Sequence, residues 1–252
     1  MSAVTVPYWY KPPPSVDELV TDDGEPMETG RHVQQMLLLI DSLNHGWAHR
    51  DDFFVGGNMF LYFSALQVKK NDFRGPDVFV VMGTERRERK AWVVWEEDGR
   101  VPDVVVELTS PSTEAVDRGE KMRVYGQVLH VPEYVIFDPF AGTLEGWEWD
   151  STSYRPVPLD RGGRLPSRKT GLTLGTCMST YLGLELPWLR WFGPDGVVLP
   201  TGSESNLASQ ARAARAEESA RQAEERLREE RARSEALARR LAELEAKGTD
   251  PR

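Results

Sequence analysis

Two acidic residues stand behind prolines at the heads of β-forming runs, Pro76-Asp77-Val-Phe-Val-Val-Met82 and Pro102-Asp103-Val-Val-Val-Glu107-Leu108. Val and Phe favour strands, and the polar interval between the runs can turn the chain back. Paired antiparallel, the start of the first run lies opposite the end of the second, so Asp77 meets Glu107 and Gly83 meets Val101. Two carboxylates meeting in this way suit a hard divalent cation. Asp103 shares a strand face with Glu107, yet at about 3.3 Å per residue the two are roughly 13 Å apart, too far to bind one ion together. Glu107 follows Val104-Val-Val106, and a carboxylate beside an apolar core needs an ion pair, a cation or water.

A helix predicted over Glu114 to Leu129 follows the second run. Asp117, Lys121 and Tyr125 recur four residues apart on it, and Asp117 with Lys121 reads as a solvent-facing ion pair. An earlier helix is predicted over Thr29 to Leu43, from Met36, Leu37, Ile40 and Leu43, with Gly46 as its stop. His32 falls in its first turns, where a histidine is either structural or, near a metal site, a contact to metal, water or phosphate. Asp51 to Phe63 reads as a strand interrupted at Val55-Gly-Gly-Asn58. Ala91 to Trp95 is a short strand, and Glu133 to Asp138 another, stopped by Pro139. Thr143 to Trp149 and Tyr154 to Val157 suggest a hairpin, Leu172 to Leu186 closes the globular unit, and Leu189 to Phe192 packs back as a strand or edge. Pro12 to Leu19 is an extended lead-in with a helical turn that Ser15 can cap. Lys69, Lys70 and Arg74 form a cationic cluster in a solvated turn.

At 252 residues and 40% hydrophobic content the chain supports one substantial core with an appendage. Acidic and basic residues balance in Glu204 to Arg252, so the formal charge of -9 rests on the body. A body that engages a polyanion then needs bound cations or a local basic patch. The single cysteine, Cys177, excludes an intrachain disulfide and a cysteine-based zinc site. With no leader-like start and no membrane-length apolar run, a soluble cytoplasmic protein is expected. Glu204 to Ala246, free of proline and glycine, reads as one long helix. A heptad track through Ala220, Ala223, Leu227, Glu230, Ser234, Leu237, Leu241 and Leu244 leaves three readings: a short parallel coiled coil that makes the protein a homo-oligomer, a solvated single helix, or a helix against the body. The expected division is 1–199 for the globular domain and 200–252 for linker and helical tail.

The ordered set Arg74-Gly-Pro-Asp77-Val-Phe-Val-Val, Pro102-Asp103-Val-Val-Val-Glu107-Leu-Thr-Ser-Pro-Ser, Asp117 with Lys121 and Tyr125, and Val131-Pro-Glu-Tyr-Val-Ile-Phe-Asp138-Pro resembles a largely bacterial family of restriction-endonuclease-like proteins with a PD-(D/E)XK core. The resemblance runs from roughly Ser15 through Leu199. It implies an α/β fold with a mixed central sheet flanked by helices, followed here by a long C-terminal helix. It implies Asp77 and Glu107 as metal ligands for Mg²⁺, with Mn²⁺ as the alternative, and hydrolysis of DNA phosphodiester bonds as the activity. The lysine usual two places after the second acid is Thr109 here, and the resemblance substitutes Lys121, reaching in from the following helix. His32 matches an upstream family histidine and is a secondary catalytic candidate. Two alternatives stay open: a noncatalytic interaction protein on a nuclease fold, and an RNA-processing nuclease.

Overall fold

The computed structural model describes residues 29–63 and 75–248, with side chains through 242. The expected lead-in at Pro12 to Leu19 and the Lys69, Lys70 and Arg74 cluster lie outside the described residues. The chain divides into two compact units, Met1–Thr201 and Gly202–Arg252. In order, the first unit holds α1 (Gly30–Gly46), β1 (Phe53–Gly56), β2 (Leu61–Tyr62), β3 (Val78–Met82), β4 (Trp92–Val93) and β5 (Val104–Leu108). A helical segment, here α2, then runs through an α turn at Glu114–Val116 and π-turns at Asp117–Lys121 and Val124–Val128. It is followed by β6 (Glu133–Phe137), β7 (Leu144–Trp149), β8 (Tyr154–Pro156), β9 (Leu165–Ser167), β10 (Leu172–Tyr181) and β11 (Leu184–Phe192). The second unit holds α3 (Gly202–Gly248).

Six strands form the central sheet in the order β1-β3-β5-β6-β7-β8. The β5 to β6 pair is parallel and the remaining neighbours are antiparallel, so α2 is the crossover that a parallel pair requires. Both central strands are buried along their whole length, which is why they read as unbroken apolar runs rather than alternating ones. The expected mixed sheet flanked by helices and followed by a long helix is the architecture observed.

Alternate residues divide the core between the two sheet faces. Val78, Val80, Val104, Val106, Val135 and Phe137 pack with Leu39 and Leu43 of α1 and with the sheet β11-β10-β9. Phe79, Val81, Val105, Tyr134 and Ile136 pack with Val124, Tyr125 and Leu129 of α2. The odd-numbered residues of β3 and β5 therefore face α2, and that parity carries Asp77 and Glu107 to the same side.

The Leu172 to Phe192 region forms a long hairpin rather than a closing segment followed by a separate edge, because β10 and β11 pair along nine consecutive positions. The turn between them uses Leu182 and Gly183, both at positive φ. The strand expected over Asp51 to Phe63 divides into β1 and β2 around Asn58, at φ 46°, and β2 pairs in parallel with β4. No described helix is long and apolar enough to cross a membrane.

The hydroxyl oxygen of Thr29 caps α1 by accepting from the His32 backbone N–H at 3.3 Å. Further along, the fully buried Gln35 amide treats β11 as a strand neighbour would. Its Nε2 donates to the Leu189 carbonyl and its Oε1 accepts from the Leu189 N–H, both at 2.9 Å. Removing that side chain leaves two buried backbone groups unpaired. Gln35→Ala is accordingly expected to destabilise the first unit by about 2–4 kcal/mol, read as a lowered urea midpoint; an unchanged midpoint would show that water replaces the amide without penalty.

Candidate active site

The β3 and β5 register pairs Val78 with Val106 and Val80 with Val104. Continued by one residue, it sets Asp77 opposite Glu107, as the two Pro-Asp runs imply. Asp77 Oδ2 accepts the Leu108 N–H at 2.6 Å, so the first acid is anchored to the backbone next to the second. Behind it the chain comes so close that a Cβ on Gly57 would stand 2.5 Å from the Asp77 carbonyl oxygen and 3.0 Å from Met36 of α1. Glycine is the residue that permits this approach.

Glu107 is fully buried. Its Oε2 accepts from Lys121 Nζ at 2.9 Å and its Oε1 from the Tyr125 hydroxyl at 3.0 Å. Lys121 Nζ also lies 2.8 Å from Asp117 Oδ1, and Asp117 is only 1% exposed. The Asp117 and Lys121 pair is thus a buried one rather than the solvent-facing pair its spacing suggested. Its helix face packs on the sheet, and Glu107 sits across from it. The Tyr134 hydroxyl donates to the Asp117 carbonyl at 2.9 Å, closing the cluster from β6.

The π-turns make this convergence possible. An α-helix repeats every 3.6 residues, so side chains four apart drift around its axis. Wider i→i+5 turns bring the local repeat close to about four residues and offset the drift. Asp117, Lys121 and Tyr125 then rise in one line over Glu107, and the Asp117 carbonyl finds a partner in Tyr134.

Burial by itself would lower the Lys121 pKa, but the Glu107, Asp117 and Asp77 carboxylates outweigh it and hold the ammonium well above the ordinary lysine value. Tyr125 and Tyr134 are pushed well above the usual tyrosine range, first by burial and next by the Glu107 charge, so both hydroxyls remain donors. Around one cation, therefore, three carboxylates gather. That is a surplus of negative charge over the one ammonium. Among the described residues no three His, Cys, Asp or Glu side chains close into a metal cage. Mg²⁺, however, is commonly held through one or two carboxylates and keeps several of its waters.

Other sequence candidates fall elsewhere. Asp103 Oδ2 accepts the Met82 N–H at 2.8 Å, and its Oδ1 lies 3.4 Å from Lys169 Nζ, at the opposite end of the strand pair. Thr109 is buried beside Thr113, their hydroxyls 3.5 Å apart. His32 is 7% exposed and meets the Phe140 ring edge-on at 5.8 Å. Its Nε2 has no hydrogen-bond partner among the described residues. It lies one helical turn before Met36, the residue that crowds Gly57 and Asp77, yet no hydrogen bond joins it to Asp77, Glu107 or Lys121. Tyr134 was missed by the sequence reading. The signal was present: strand parity places it on the α2 face beside Val105, its partner in the parallel pair.

Among solved structures, a crystal structure described as a putative nuclease belonging to DUF820 from Anabaena variabilis ATCC 29413 is similar at 16% identity over 57% of this chain and 75% of that chain, with a TM-score of 0.37. None of the curated proteins matches the sequence. The Uma2 family, described as "Putative restriction endonuclease", matches residues 18–180, well over half of the sequence, and the chain belongs to that family.

Proposed function

We propose that this protein is a metal-dependent endonuclease that hydrolyses DNA phosphodiester bonds. The observation that carries the reading is the meeting of Glu107 with the Lys121 ammonium at 2.9 Å, on the sheet face to which the strand register also brings Asp77. Asp77 and Glu107 would hold Mg²⁺, or Mn²⁺ in its place, which when bound supplies a Lewis acid for the phosphoryl oxygens and a more acidic water. It would also offset the acidic field of the body toward a polyanion.

Lys121 takes the place of the lysine that Thr109 does not provide. Its raised pKa favours a charged role, donation to a phosphoryl oxygen where negative charge develops, over service as a general base. An ammonium has three donors; Glu107 accepts one, and Asp117 Oδ1 lies 2.8 Å away as an ion-pair partner. The side chain is 24% exposed, which leaves room for donation to a substrate. Tyr125 holds the other oxygen of Glu107 and so fixes the rotamer of a proposed ligand. His32, with its unpartnered Nε2 one turn from Met36, is proposed as a secondary contact to phosphate or water.

The second reading, a noncatalytic interaction protein on the same fold, is favoured by the complete burial of Glu107 with both its oxygens engaged. Cleavage assays on duplex DNA, single-stranded DNA and RNA separate the alternatives. The full chain is expected to cut DNA with Mg²⁺ or Mn²⁺, and Asp77→Ala or Glu107→Ala to reduce the rate at least about a hundredfold. Metal-dependent cutting that survives both changes rejects the site. Cutting of RNA alone moves the substrate, and inertness toward all three favours the noncatalytic reading.

The charge state of Lys121 has its own test. A lysine with a raised folded pKa contributes stability that is complete below its unfolded value of about 10.4 and is lost as pH rises above it. Lys121→Met, which strands two buried carboxylates, is expected to cost about 3–5 kcal/mol. In urea unfolding the gap to the unchanged protein should narrow as pH falls below neutrality, where the stranded carboxylates take up protons, and should not narrow with rising pH until above about 10.4. A gap that already shrinks as pH rises from about 7 to 9 would contradict a protonated Lys121.

A further inference from the structure

The seam of α3 points to a specific partner. The helix spans 47 residues, about 70 Å at a rise of about 1.5 Å per residue. Leu227, Leu237 and Leu241 are 48%, 64% and 61% exposed. With alternating steps of three and four, Ala220, Leu227, Ser234 and Leu241 occupy heptad position a, while Ala223, Glu230, Leu237 and Leu244 occupy d. The flanking positions are segregated by sign. Position g carries Arg212, Arg226, Arg233, Arg240 and Lys247, whereas position e carries Glu217, Glu224 and Glu245, with Arg231 as its basic exception. The ion pair between Arg221 and Glu218 lies at b and f, away from the seam.

Sign segregation decides the direction in which a second helix can lie. In an antiparallel pair g faces g and e faces e, so the arginine row would oppose itself. In a parallel pair each g faces the e of the following heptad on the other strand. The g position of Arg212 then faces the e position of Glu217 on the second copy and that of Arg240 the e position of Glu245, each twice by symmetry, while Arg233 faces Ala238 and Ser219 faces Glu224 without repulsion. Two like-charged contacts remain, Arg226 with Arg231 at the flanks and Glu230 with its own copy at d, and they offset each other because each Glu230 packs next to the Arg231 e position of the second copy. The polar Glu230 in the track thereby has a role, in a seam that also carries Ser234 and is otherwise alanine and leucine over 220–244.

We infer that α3 is the interface of a parallel, in-register, two-stranded coiled coil with a second copy of this chain. The inference is independent of the nuclease reading. Sedimentation equilibrium on the full chain should give twice the 28.5 kDa chain mass. The double variant Leu237→Arg with Leu241→Arg should weaken association roughly a hundredfold. Arg212→Glu with Arg240→Glu, and separately Glu217→Arg with Glu245→Arg, should each weaken self-association, and mixing the two variants should restore a dimer. Ala220→Cys in a Cys177→Ser background should cross-link in a glutathione buffer, since identical a positions adjoin only in a parallel pair. A monomer at all concentrations, a dimer indifferent to the leucine and charge changes, or a dimer without the cross-link would each overturn the inference. Circular dichroism confirms that each variant retains its helix, so loss of association is not loss of α3.

Discussion

The first unit depends on the burial of one charge. A carboxylate taken wholly out of water costs several kcal/mol unless it is paired and hydrogen-bonded. Glu107, in the middle of the central sheet, meets that requirement through an ammonium and a phenol from the same helix. That requirement fixes α2 over β5, in a geometry that brings residues four apart into line. The π-turns, the buried Asp117 and the Tyr134 hydroxyl on its carbonyl follow from it. A purely apolar strand at this position would pack as well, and would impose no such register between helix and sheet.

The same arrangement gives the site its chemistry. Structural ion pairs tend toward neutrality, whereas here the carboxylates of Asp77, Glu107 and Asp117 surround a single lysine. An acidic surplus at the end of a strand pair, joined to an ammonium held in its charged form, is what the proposed grip on a cation and a phosphate rests on. Thr109 stands where a local lysine would be, two residues after Glu107 on the same strand. On the proposed reading the cation comes from α2 instead, where Asp117 lies 2.8 Å behind it, and helix position then matters to the site as much as strand position.

The two units are built on different physical terms. The body buries aromatic and branched residues on both faces of its sheet and uses buried polar side chains such as Gln35 as substitutes for strand pairing. The tail has almost no apolar face, and its helicity rests on residue propensity and charge pairs. In the inferred dimer, sign arrangement sets the direction in which a second α3 lies and the few leucines supply the seam.

Much of the body was legible from local chemistry. Proline-aspartate heads and β-branched runs located β3 and β5, and the meeting of Asp77 with Glu107 required the register that is observed. Apolar periodicity with a glycine stop, a proline stop and helix-forming composition gave α1, β6 and the helical tail respectively. Those features depend on residues adjacent in sequence. Others depend on what packs opposite: Asp117 is buried rather than solvated because Glu107 lies across from it, Tyr134 joins the cluster through a parallel pairing distant in sequence, and the Leu172 to Phe192 region becomes one hairpin because β10 and β11 cover the sheet face that α1 leaves open. The amino-acid sequence by itself determined which groups carry charge and how they are spaced along each element. Tertiary structure alone decided which of those charges lose their water, since desolvation is a property of the neighbours and not of the residue.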